Sequence, residues 1–170
     1  DQINIPKIHR IKTGFEEFDR VLGGGFVNGS VVLLGGEPGI GKSTLILQAS
    51  AKISLNAEVL YITAEESLEQ VKMRWERLNQ SSSKLKILSE TNLSSIISEI
   101  SRSPSALVIV DSIQAIYSDE LESSAGSVSQ VRSCSSELQK MAKELNFALL
   151  IIGHITKEGS LAGPKTLEHL

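Results

Sequence analysis

The stretch Gly36-Glu37-Pro38-Gly39-Ile40-Gly41-Lys42-Ser43, followed by Thr44, constrains this chain more than any other. Two glycines with four residues between them and then Lys-Ser match a phosphate-binding P-loop. An apolar run (31–34) precedes it and a helical pattern follows it. Gly36, Gly39 and Gly41 let the backbone curl until successive amides point inward at a triphosphate, and a helix starting near Lys42 adds the positive end of its dipole. Glu37, Pro38, Gly39, Ile40, Gly41, Lys42, Ser43 and Thr44 are therefore the expected nucleotide-binding set. Lys42 would reach the β and γ phosphates, and the Ser43 hydroxyl is short enough to join the shell of a Mg²⁺ ion.

A P-loop lies between a strand and a helix, and the rest of the chain keeps that alternation. An extended lead-in (1–12) is followed by Thr13-Gly14-Phe15-Glu16, which reads as a capping box. It opens a short helix that carries Phe15, Phe18 and Leu22 and ends at Gly23-Gly24-Gly25. Asn28-Gly29 turns the chain into the first strand. The P-loop helix runs from 42 to about 55, with Leu45, Ala49 and Ile53 at helical spacing and Asn56 as its stop. A strand at 58–63 follows, then a helix from Ser67 with Leu68, Val71, Trp75 and Leu78 on one face. Trp75 reads as a packing anchor in preference to a base-stacking platform.

The stretch Ser81-Ser82-Ser83 is a surface loop. It precedes a short strand (85–88) and a helix with Leu93, Ile96, Ile97 and Ile100, closed before Pro104. An apolar strand (106–110) ends in Asp111-Ser112, and a long polar segment (117–127) reads as a mobile loop. Val128, Val131, Leu138, Ala142 and Leu145 mark a further helix, and 147–152 the last buried strand, ending at Gly153-His154. A second glycine-bearing loop spans 157–165. Alternation of this kind demands an α/β fold, a P-loop nucleoside triphosphatase with a mainly parallel sheet and helices on both faces. Ligands are then expected at the carboxyl ends of the strands.

Composition supports one core and narrows its chemistry. At 170 residues and 41% hydrophobic the chain suits one domain, in which 1–30 form a lead-in and short helix and 31–170 the nucleotide-binding sheet, expected to be truncated at its carboxyl end. Only 4% of residues are aromatic, so the core is aliphatic. The single cysteine, Cys134, leaves no cysteine-based zinc site or intrachain disulfide and fits a reducing compartment. A net charge of −3 gives no overall basic excess, so DNA binding must be local or shared between copies. No apolar run approaches the roughly 20 residues that span a bilayer, and a soluble protein without a membrane partner is expected.

Three more strand ends carry chemistry. Asp111 at the tip of a buried strand beside the P-loop would hold Mg²⁺ together with Ser43. Glu65-Glu66 follow a strand, where a carboxylate can orient or deprotonate the attacking water, although both also suit the first turn of the next helix. His154, ending the last strand, could bond the γ phosphate and report its loss to the loop beyond. The catalytic set is thus Lys42, Glu65, Glu66 and His154.

On these residues the chain resembles the RadA (Sms) DNA-repair ATPases of the RecA-like superfamily. The resemblance runs through Arg10-Ile11-Lys12-Thr13-Gly14-Phe15, Asp19-Arg20-Val21-Leu22-Gly23-Gly24-Gly25, the P-loop, Tyr61-Ile62-Thr63-Ala64-Glu65-Glu66-Ser67 and Val110-Asp111-Ser112-Ile113-Gln114. Its most specific parts are the segment 117–132 and Gly153-His154-Ile155-Thr156-Lys157-Glu158-Gly159. It implies an ATP- and Mg²⁺-dependent hydrolase, cytoplasmic in bacteria or in an organelle matrix or stroma, that works in recombinational repair. Such proteins form rings, expected to be hexamers, on single-stranded DNA, drive branch migration and have a recombinase as a further partner. By the same resemblance Glu65 is favoured over Glu66 as base, and the DNA-facing loops carry Arg132, Lys157 and Lys165. The family's zinc finger, Lys-Asn-Arg-Phe-Gly motif and Lon-like domain do not occur in these residues. Two other readings stay open: a KaiC-like signalling ATPase, which the Glu65-Glu66 pair would also suit, and a nucleotide-gated assembly module with little turnover.

Overall fold

Residues 59–63, 107–111 and 148–153 are buried without interruption, which a strand achieves only inside a sheet covered on both faces. The computed structural model of the protein describes residues 9–79 and 84–154. In chain order the elements begin with β1 (Arg10–Ile11), α1 (Glu16–Val21), β2 (Phe26–Val27), β3 (Val31–Gly36) and the P-loop helix α2 (Lys42–Ile53). They continue with β4 (Val59–Thr63), α3 (Leu68–Glu76), β5 (Leu85–Ser89), α4 (Leu93–Arg102) and β6 (Leu107–Asp111). After a 3₁₀ turn (Ile113–Ala115) come α5 (Val128–Glu144) and β7 (Ala148–His154).

Five strands form one parallel sheet in the order β3-β7-β6-β4-β5, and β1 pairs antiparallel with β2 beside it. Strand side chains alternate between faces, and the core divides accordingly. Leu60, Ile62, Val108, Val110, Leu149 and Ile151 meet Ile96 and Ile100 of α4 and Val131 and Leu138 of α5. Val59, Tyr61, Leu107, Ile109, Leu150 and Ile152 meet Ile46, Leu47 and Ile53 of α2, Val71 of α3, and Ile11 and Phe26 of the lead-in. Helices thus cover both faces, as the alternation requires. Trp75 packs, partly buried, on the second of these clusters. No described helix is long and apolar enough to cross a membrane.

Some local expectations give way to stronger contacts. The capping box at Thr13 does not form. Thr13 binds Asp19 Oδ1 through both its amide, at 2.7 Å, and its hydroxyl, at 2.8 Å, and Phe15 caps α1 without a side-chain bond. The capping box forms instead between Ser67 and Gln70 at α3. The glycine stop of α1 is present: Gly23 takes φ 68°, and the amides of Gly23 and Gly24 return to the carbonyls of Arg20 and Asp19. In α2 the core-facing residues are Ile46, Leu47, Ala49, Ala51 and Ile53, while Leu45 is 38% exposed, so the apolar face is displaced from the predicted one. The segment 117–127 is tied down. Buried Gln130 donates to the carbonyls of Ser118, Leu121 and Ser123 and accepts from the Ser118 amide, so one side chain replaces the backbone partners the loop lacks. The predicted loops at 81–83 and 157–165 lie outside the described residues.

An ionic cluster that the apolar periodicity of α4 gives no sign of joins β5 to that helix. Glu99 bonds Lys86, Arg102 and Ser103. Lys86 first, then Arg102 and Ser103, hold its carboxyl down to about 2, against an ordinary 4.5. The unfolded chain therefore takes up this proton first. The cluster's stabilisation is complete above about pH 4.5 and is lost as pH falls through about 2. Glu99→Gln is expected to lower the melting temperature at pH 7 and to narrow its drop between pH 5 and pH 2. Equal drops in both proteins would show that another group governs acid unfolding.

Candidate nucleotide-binding site

The P-loop closes over its own lysine. Lys42 is buried, and its Nζ donates to the carbonyls of Gly36 at 2.8 Å and Glu37 at 2.6 Å. An ammonium has three donors. These two carbonyls take two of them, which leaves one for an anion. Gly41 starts α2 with φ 97°, a left-handed conformation that side chains strain to adopt, and no side chain caps the helix. The first-turn amides of α2 are thus open to phosphate oxygens. The side chains of Glu37 and Ile40 are exposed. A pocket of about 330 Å³ lies over the loop, lined by Pro38, Gly39, Gly41, Lys42, Ser43, Thr44, Glu65, Glu66, Arg74 and His154.

Asp111 ends β6 on the face that looks toward α2. Tyr61 Oη donates to its Oδ2 at 2.5 Å, and the Ser43 hydroxyl at the start of that helix lies near enough to favour the charged carboxylate. The strand of Asp111 is separated from the P-loop strand by β7, which lies between β3 and β6. Burial pushes the Asp111 carboxyl up; the Tyr61 and Ser43 hydroxyls oppose that rise, and the charges of Glu65 and Glu66 add to it. Burial, then the charge of Asp111, pushes the Tyr61 phenol far up, so its oxygen remains a donor.

Two carboxylates adjacent in sequence have different partners. The amide of Ala64 bonds the carbonyl of Asp111 at 2.7 Å, carrying the chain from β4 over the end of β6. Glu65 then accepts from the Ser112 hydroxyl and faces His154 Nε2, 2.8 Å from Oε1 and 3.0 Å from Oε2. Glu66 pairs with Arg74 Nη2 at 2.5 Å. The His154 imidazole meets Glu65 because β7 runs beside β6 and extends past the register pair Asp111–Ile152.

The structure thus brings Lys42, Ser43, Asp111, Glu65, Glu66 and His154 to one end of the sheet. Arg132 lies elsewhere, exposed on α5, in an open groove of about 810 Å³ with Leu121, Val128 and Glu137. Lys157 and Lys165 lie outside the described residues. Sequence reading gave no role to Tyr61, Ser112 or Arg74. A tyrosine inside an aliphatic strand is the one signal that was available, since a buried phenol needs a partner. The donor set fits a triphosphate with a hard divalent cation: open helix-start amides and an ammonium for phosphate oxygens, and a nearby hydroxyl and carboxylate for Mg²⁺. Mg²⁺, when bound, would neutralise phosphate charge; Ser43 and Asp111 would hold it.

Comparison with known proteins agrees with this arrangement. The family described as AAA domain matches residues 2–160. The chain is 52% identical over 169 residues to the DNA repair protein RadA of Streptococcus pneumoniae, covering 99% of this chain and 40% of that one. It is 53% identical over 162 residues to the DNA repair protein RadA of Bacillus subtilis, covering 95% and 35%. The chain therefore spans two fifths or less of the length of these curated relatives. Among solved structures, a KaiC-like protein of the archaeon Pyrococcus horikoshii OT3 superposes with a TM-score of 0.76 at 22% identity, covering 95% of this chain and 77% of that one, a likeness of fold alone. With the P-loop, the parallel sheet and the carboxylates in these positions, the chain belongs to the AAA domain family, and its sequence is similar to the corresponding part of the DNA repair protein RadA.

Proposed function

We propose that this chain binds ATP with Mg²⁺ and hydrolyses it in response to single-stranded DNA, as one subunit of a ring that drives branch migration in recombinational repair. The observation that carries the reading is the Glu65 carboxylate, bracketed by Ser112 and His154 in the pocket that holds Lys42 and Ser43. In hydrolysis a water attacks the γ phosphorus and its proton passes to Glu65. The bond from phosphorus to the bridging oxygen breaks, and ADP leaves with phosphate. Lys42 meets the phosphate charge, and Glu66, paired with Arg74, stays out of the proton transfer. The repair role, the DNA and a recombinase partner come by analogy with the RadA relatives. A second reading draws on the same bracket. If His154 and Ser112 hold Glu65 from water, the chain is a nucleotide-gated assembly module with little turnover.

DNA binding by one copy would be weak, because the net charge is −3 and Arg132 stands near Asp119, Glu120 and Glu122 in sequence. Several copies around one strand multiply the phosphate contacts, and nucleotide held between neighbours couples assembly to affinity. Single-stranded DNA binding is expected to be tighter with a non-hydrolysable ATP analogue than with ADP, and to lose that difference in His154→Ala. Equal affinity in all three conditions, or tight binding by a demonstrated monomer, would contradict the proposal.

A further inference from the structure

The side chain that hydrogen-bonds the Asp111 carboxylate comes from outside the P-loop. Tyr61 stands in the middle of β4, paired in register with Ile109, and is 2% exposed. Its phenol reaches along the sheet and across to the neighbouring strand, where it donates to Asp111 Oδ2 at 2.5 Å. Around it β4 offers Val59, Leu60, Ile62 and Thr63, and a phenylalanine ring would fill the same place among Ile46, Leu47 and Ile109. The hydroxyl therefore adds nothing to apolar packing. What it adds is a fixed donor under a buried carboxylate.

We propose that Tyr61 is a positioning residue for the metal-binding carboxylate: by occupying Oδ2 it fixes the rotation of the Asp111 side chain and leaves the other oxygen for the cation beside Ser43. The inference rests on the reading of Ser43 and Asp111 as the Mg²⁺ pair. A buried carboxylate without this donor would be free to turn its oxygens among several directions, and the cation would have to select one of them on binding. Partners that orient a metal ligand typically change metal affinity by about 10–100-fold. Binding of nucleotide without metal depends on the loop amides and Lys42, which Tyr61 does not touch, so that affinity should stay the same.

The test titrates MgCl₂ into the 170-residue chain with a fluorescent non-hydrolysable ATP analogue at fixed concentration, and measures analogue affinity separately in EDTA. Tyr61→Phe is expected to raise the Mg²⁺ midpoint about 10–100-fold and to leave affinity in EDTA unchanged. In an Asp111→Asn background the same substitution should shift the midpoint no further, since the group through which Tyr61 acts is already altered. An unchanged midpoint in folded Tyr61→Phe, or an equal shift in both backgrounds, would overturn the inference. Should Tyr61→Phe fail to fold, the double variant is expected to fold, because an amide strands no buried charge; failure of both would make Tyr61 a packing residue and overturn the proposal. Wild-type protein without any Mg²⁺ dependence would overturn the reading of the site itself, and this inference with it.

Discussion

Replacing Lys42 with alanine is expected to lower nucleotide affinity by about 10–100-fold while the protein keeps its fold. The lysine supplies the one buried ammonium at the loop, and hydrogen bonds to charged groups contribute about 1.5–3 kcal/mol each. One such contact to a phosphate oxygen, made by the donor that the loop carbonyls leave open, corresponds to about 10–100-fold in affinity. The fold should survive, because the Lys42 ammonium bonds only the carbonyls of Gly36 and Glu37 and joins neither apolar cluster. Titration with a fluorescent nucleotide, with a thermal melt on the same sample, measures both halves of the expectation. A folded variant with wild-type affinity would remove the loop from the site.

The second large effect separates two neighbouring carboxylates. Glu65→Gln is expected to keep nucleotide affinity and slow single-turnover hydrolysis by about 10²–10⁴-fold, the range for loss of a positioned base. Glu66→Gln should lose the pairing with Arg74 and leave the hydrolysis rate within a few-fold of wild type. The difference arises in the contacts: Glu65 faces Ser112 and His154 inside the pocket, whereas Glu66 is neutralised by a guanidinium. If Glu66→Gln is the slow variant and Glu65→Gln is near normal, the assignment within the pair is reversed.

How far the sequence reveals this arrangement depends on the range of the interaction. The P-loop, the buried strands and the helix stop at Gly23 rest on local patterns, and they lie within a residue or two of where periodicity and turn chemistry put them. The order of the parallel strands is a long-range property that no period encodes. For that reason β7 comes between β3 and β6 unannounced, and His154 meets Glu65. At Thr13 a local signal was present and still misled, because the Asp19 side chain is a stronger acceptor for both the Thr13 amide and its hydroxyl than the predicted cap geometry offers. Glu99 and Gln130 are polar residues on helix faces that become buried only through their tertiary partners, so neither stands out in the chain.

The central claim is that this pocket hydrolyses ATP and that DNA accelerates it. The measurement that addresses it most directly is the steady-state rate of phosphate release from MgATP by the 170-residue chain, with and without single-stranded DNA and with Glu65→Gln as control. The account predicts a slow basal rate, a clear rise on addition of DNA, and loss of both in Glu65→Gln. A rate indifferent to DNA would contradict the coupling, and an equal rate in Glu65→Gln would contradict the site.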